Sequence, residues 1–180
     1  MNIELLEQQL QELPLYAYFI IRPEQLEFSN RIRWICENEC PRYNKSWACP
    51  PAVGSVESCK AKCLSYENCL IIGTITEISH IANLQEALDT RFDHEAVTDE
   101  VAQLLQQQGI EPYILSTDSC AFCESCAWCE GKPCRLPEKM HPCVESHGIN
   151  VIPVLEENGL EFQYGDNIIT WYSMLFYNQS

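Results

Sequence analysis

Basic residues are scarce in this chain: 11 lysines and arginines stand against 26 aspartates and glutamates, a formal net charge of −15 at pH 7. Nucleic acid and anionic membrane surfaces would be repelled by such a chain at cellular salt, so neither is expected as a partner. Glycine is also sparse, at 7 residues, and never falls into G-x-G-x-x-G or a P-loop, which removes the common nucleotide fingerprints. No apolar run reaches the roughly 20 residues that span a bilayer. The opening stretch from Met1 to Glu7 lacks both the positive and the apolar regions of a secretory signal. These absences predict a cytoplasmic protein. There is no internal repeat and no low-complexity segment, and the serine, cysteine and histidine residues show no spacing that points to a nucleophilic triad.

What the chain has in excess is cysteine, 12 in 180 residues. That share, about 7%, falls below the 8–10% of a disulfide scaffold, and the chain is far longer than such scaffolds. In a reducing compartment these thiols are expected to be metal ligands. A hydrophobic content of 46% with 21% charged residues supports one compact domain with its own core. The acidic surface suits solubility, and it also suits docking to a basic redox partner protein.

The densest group is Cys120-Ala-Phe-Cys123-Glu-Ser-Cys126-Ala-Trp-Cys129-Glu-Gly-Lys-Pro-Cys134, followed by Cys143. Cysteines on two-residue spacers wrap a tight loop whose soft thiolates suit an iron–sulfur cube. Structural zinc sites instead take one such pair and fetch a second from farther along, so this run oversupplies zinc, which stands as the alternative metal. A second group is Cys36-x3-Cys40-x8-Cys49, closed by Pro50-Pro51. Its spacing differs from the C-x3-C-x2-C of radical enzymes. Three cysteines alone leave one iron open to a small molecule, while Cys59 or Cys63 is available as a fourth ligand.

Pattern and punctuation predict an α/β or α+β fold: a single domain over residues 1–180, a mostly β central sheet flanked by helices, and cysteine-rich segments at 36–69 and 120–143. A helix is expected from Ile3 to Leu13, ending before Pro14. Tyr16–Ile21 and the alternating Arg31–Ile35 read as strands, the latter delivering the chain to Cys36. Ser55 is the expected cap of a helix that sets Cys59 and Cys63 on one face. Cys69–Thr76 reads as a central strand with Cys69 in the core. Residues 80–108 read as helical, with stripes Leu84, Leu88, Phe92 and Val97, Val101, Leu104, Leu105, a break near His94, and His80 and His94 solvated. Tyr113–Leu115, Ile149–Val154 and Ile168–Phe176 are expected as strands, the last two joined by a hairpin at Glu156–Gly159, with a helical turn at 142–147 stopped by Gly148. Trp171, Tyr172, Phe176 and Tyr177 are read as packing residues.

The run from Cys40 to Pro51, the C-x2-C repeats at Cys120, Cys123 and Cys126, the stretch Lys132–Glu138 and the stretch Val144–Val151 together resemble an uncharacterised family of cysteine-rich predicted metal-binding proteins of anaerobic bacteria and archaea. The resemblance covers about residues 30 to 175. It implies metal binding, with iron–sulfur clusters as the metal form, at Cys36, Cys40, Cys49, Cys120, Cys123, Cys126 and Cys134. Cys59, Cys63, Cys69, Cys129 and Cys143 lie outside that pattern, and of these Cys59, Cys63, Cys129 and Cys143 remain candidate extra ligands.

Three functions fit. One is a carrier or redox subunit with two [4Fe–4S] clusters acting in electron transfer. A second is a small enzyme that uses an open iron for sulfur removal or elimination. A third is a zinc-stapled module that binds another protein. Arg135, His141 and Glu145 are the candidate catalytic side chains beside the loops, and His147 is a further acid or base. The plainer role for Arg135 and Glu145 is ion pairing that ties the loop to the sheet.

Overall fold

The computed structural model describes residues 2–179. Its frame is a four-stranded antiparallel sheet in the order β1-β3-β6-β4, formed by β1 (Ala17–Ile21), β3 (Asn68–Glu77), β6 (Ile168–Tyr177) and β4 (Tyr113–Leu115). A two-residue pair, β2 (Glu27–Phe28) with β5 (Ile149–Asn150), lies beside it. The helices are α1 (Ile3–Gln11), α2 (Asn30–Asn38), α3 (Val56–Cys63), α4 (Leu84–Asp89), α5 (Arg91–Gln107) and α6 (Ile152–Glu157). This is a single α+β domain.

The sheet is covered on both faces, which its unbroken apolar strands require. Leu70 and Ile72 of β3, with Leu175 and Tyr177 of β6, pack against Leu6 and Leu10 of α1 and Val101 and Leu105 of α5. The alternate residues Cys69, Ile71, Met174 and Phe176 face the other way, onto Cys63, Val144, Val154 and Leu155. Successive strand residues thus serve opposite cores, each large side chain contributing about 1.5–3 kcal/mol on burial. Cys69 is a core residue, fully buried in β3.

Several expectations are corrected. Residues 31–35 are helix, not strand: Ser29 accepts a hydrogen bond from the Arg31 amide and starts α2, whose buried side chains are Arg33 and Cys36, one turn apart, while Trp34 and Ile35 are exposed. The apparent alternation was misleading because the residue turned inward is an arginine. Strand β5 stops at Asn150, and Pro153 sits in the first turn of α6, where its missing amide costs nothing. A helix therefore precedes the turn at Gly159, and no hairpin joins it to β6.

The break in the helical stretch falls at Thr90, and Leu84 and Phe92 are exposed. His80 is exposed as expected, but His94 is fully buried. Its Nδ1 lies 2.8 Å from Thr74 Oγ1 and its Nε2 2.7 Å from Ser173 Oγ. Ser173 is bonded in turn to Ser116 (3.1 Å), whose hydroxyl donates to Glu95 (2.6 Å). Two hydroxyl partners make burial of the ring affordable.

The turn before β5 forms as its composition predicts. A short 3-10 turn, Glu145–His147, ends at Gly148, whose φ of 73° is left-handed, and a Cβ there would sit 3.0 Å from the Ser29 carbonyl. This turn packs against the start of α2 and so brings the 143–147 segment to the first cysteine group.

Candidate metal centres

Two elements and two loops build the first centre. Cys36 occupies the last turn of α2, and Cys40 follows just beyond the helix end. The loop to Cys49 is folded by its own turns, with Tyr43 N to Cys40 O at 3.2 Å and Cys49 N to Ser46 O at 3.2 Å. Cys143 arrives from the far end of the chain on an isolated parallel bridge with Ser116, just past β4. Cys36, Cys40, Cys49 and Cys143 line one small chamber of about 30 Å³, together with Asp118 and Ser119.

The thiols there are not equivalent. The neighbouring Cys143 thiol, and then the Ser119 hydroxyl 3.2 Å from Cys49 Sγ, outweigh burial to bring Cys49 down to about 7. Cys143 shifts upward, through its contact with the Cys49 thiol and then burial. Burial, followed by the nearby Glu145, pushes Cys36 up to about 11. The lowered value of Cys49 favours its thiolate, the form that binds metal.

The second centre is a loop folded on itself. Asp118, whose φ of 52° is left-handed, is ion-paired with buried Arg91 at the start of α5, and Arg91 also donates to the Ser119 carbonyl at 3.2 Å. Beyond that anchor Cys120 is raised by burial, opposed by the Phe122 amide, and raised further by Cys134, Cys126 and Cys123. Cys123, Cys126 and Cys134 are thus each near enough to Cys120 to act on its charge, and all four are partly buried. Arg135 spans the loop, donating to Ser125 O at 2.7 Å and pairing with Glu130 at 2.5 Å.

Two tryptophans tie the loops together. Trp47 Nε1 donates to Lys132 O (3.0 Å), Trp128 Nε1 donates to Asn44 Oδ1 (2.9 Å), and the rings meet edge to face with centroids 4.7 Å apart. The centres are neighbours in space.

The remaining thiols are elsewhere. Cys59 does lie with Cys63 on one face of α3, as its spacing implies, but it faces Val53 O (3.3 Å) and Arg33 Nη2 (3.8 Å). Cys63 is in the apolar core, where burial pushes it up to about 12. Cys129 is exposed and donates to Lys45 O at 3.4 Å, apart from the set around Cys120. Among the described residues, no three Cys, His, Asp or Glu side chains converge closely enough for a single metal ion.

The other candidates scatter. Arg135 and Glu145 do not pair with each other: Arg135 pairs with Glu130, and Glu145 lies at the first centre, its carbonyl 3.7 Å from Cys36 Sγ. His141 lies 3.3 Å from Asp99, beside Cys120 and Lys139. His147 is buried, its Nε2 2.6 Å from the Tyr113 hydroxyl. Ser119 and Arg33 belong to the first centre without having been expected there. Serine next to Cys120 is the only hint for one, and a basic residue one helical turn before Cys36 the only hint for the other.

The family model described as Predicted metal-binding protein (DUF2284) matches residues 19–177. The chain belongs to that family. Both cysteine sets of this DUF2284 member fall inside the matched span, as do the tryptophans that join them. No curated protein and no solved structure matches it. Among the described residues, no helix is long and apolar enough to cross a membrane.

Proposed function

We propose that this chain holds two [4Fe–4S] clusters, one on Cys36, Cys40, Cys49 and Cys143 and one on Cys120, Cys123, Cys126 and Cys134, and passes electrons between them and a partner protein in the cytoplasm. The observation that carries this reading is the arrival of Cys143 beside Cys36, Cys40 and Cys49, which gives each centre four thiols. The residues fit the group: a cube is ligated by four thiolates at its corners, spread wider than the ligands of one tetrahedral ion. A fully ligated cluster moves single electrons and leaves no iron open, which favours a carrier over the elimination enzyme. The acidic chain, at −15, would dock a basic partner.

Protein purified without oxygen is expected to be brown, with about eight irons and as many acid-labile sulfides per chain, and with EPR signals on reduction from two interacting centres. Colourless protein with stoichiometric zinc would overturn the proposal.

A further inference from the structure

A cavity of about 370 Å³ adjoins the first centre, within the size range of small-molecule sites. Cys36, Cys40 and Cys143 line both this cavity and the chamber. Its opposite walls are apolar: Ile32 and Ile35 from α2, Leu88 from α4 and Trp171 from β6. The only formally charged lining residues are Asp118 and Glu145, and no lysine, arginine or histidine reaches it. Asp118 is neutralised by Arg91, whereas Glu145 has no ion-pair partner among the described residues.

Those walls discriminate by charge. An anion would meet a carboxylate and thiolates with no cation to offset them. A neutral molecule would gain the apolar contacts and leave Glu145 unmatched. A cation with an apolar body satisfies both, since a charge-assisted hydrogen bond to a carboxylate in a partly dry site is stronger than a neutral one.

We propose that this cavity binds a small alkyl amine in its ammonium form, the charge toward Glu145 and the hydrocarbon against Ile32, Ile35, Leu88 and Trp171. The amine is bound and not transformed. Because Cys36, Cys40 and Cys143 line the cavity, the room left beside a bound cluster and the redox consequence both rest on the cluster reading. A cation beside the first cluster favours its one-electron-reduced, more negative state, so the amine raises that cluster's potential and reduction tightens amine binding by the same factor.

Calorimetry on anaerobically purified full-length protein at pH 7, with iron measured in each sample, tests this using hexylammonium, 1-hexanol and hexanoate. Hexylammonium is expected to bind about tenfold more tightly than 1-hexanol, with hexanoate weakest. Glu145→Gln should erase the preference for the cation, and Leu88→Trp, which fills the cavity, should weaken hexylammonium by about tenfold or more. No binding, equal binding of the three probes, or insensitivity to both substitutions overturns the proposal. The iron assay separates the two readings: iron-free protein that still prefers hexylammonium keeps the amine site and removes the clusters, while iron-replete protein without the preference does the opposite.

Discussion

The thiol of Cys49 and the hydroxyl of Ser119 are hydrogen-bonded, Sγ to Oγ 3.2 Å, and Ser119 is joined by a peptide bond to Cys120. One residue therefore links the two centres through a single hydrogen bond and a short covalent path. Donors to a cluster sulfur stabilise its reduced, more negative state. Ser119→Ala is expected to lower the potential of the first cluster by about 60 mV if the bond is worth about 1.4 kcal/mol, and to slow exchange between clusters. An EPR-monitored redox titration reads both, and an unshifted potential with full iron would count against the link.

Cys143 and Cys69 are both deeply buried, yet only Cys143 lines the chamber. Cys143→Ser should reduce iron from about eight to about four per chain. Cys69→Ser should keep about eight while losing about 1–3 kcal/mol of stability, because a hydroxyl replaces a thiol inside the sheet core. Iron analysis beside thermal melts distinguishes them.

Arg33 is buried, donating to Gly54 O at 2.7 Å and Ser146 O at 2.5 Å, and its charge reaches Cys36. Arg33→Met would leave two carbonyls without donors, a loss of about 1–3 kcal/mol each. It would also remove the cation beside the first cluster, lowering that potential. Arg33→Lys cannot span both carbonyls with a fixed fork and should recover the charge without the full stability. Denaturant unfolding with a redox titration checks the split.

His94 has its charged form disfavoured by burial, which lowers it from 6.5 to about 4. Its folded value is depressed, so the stability it contributes is complete above pH 6.5 and disappears as pH falls through 4. The loss approaches about 3 kcal/mol from a shift of this size. Thermal midpoints taken without oxygen between pH 6.5 and 4 should fall more steeply in the native protein than in His94→Gln. Parallel curves would show that His94 is not the acid-sensitive group.

Cys129 is the one exposed cysteine among the described residues. It is expected to be alkylated by iodoacetamide before any other thiol of iron-loaded protein, leaving iron content unchanged. Peptide mapping of the first modified site decides this, and early modification at Cys123 or Cys126 would contradict the assignment of those residues to a cluster.

Much of this was legible because the sheet is written in hydrophobic runs. The apolar stretches around Cys69–Ile72 and Trp171–Phe176 announce β3 and β6, and Ser55 announces α3. What misled was buried polarity. Arg33 points inward on α2, so its segment mimics an alternating strand, and His94 enters the core because Thr74 and Ser173, distant in sequence, meet it there. The two-residue spacing brings Cys120, Cys123 and Cys126 into one loop, whereas choosing Cys134 over Cys129 rests on the family resemblance. The company Cys143 keeps does not follow from spacing, because it depends on the turn at 145–147 packing on α2.

The bridge between Cys143 and Ser116 also governs when the first centre can mature. Cys36, Cys40 and Cys49 leave the ribosome early, but the fourth thiol follows roughly ninety residues later, a long loop whose closure is nonetheless entropically cheap. On the cluster reading, the early trio stays incomplete during synthesis until residue 143 has emerged. A cofactor on these four thiols would then also tie the segment at 36–49 to the one at 143.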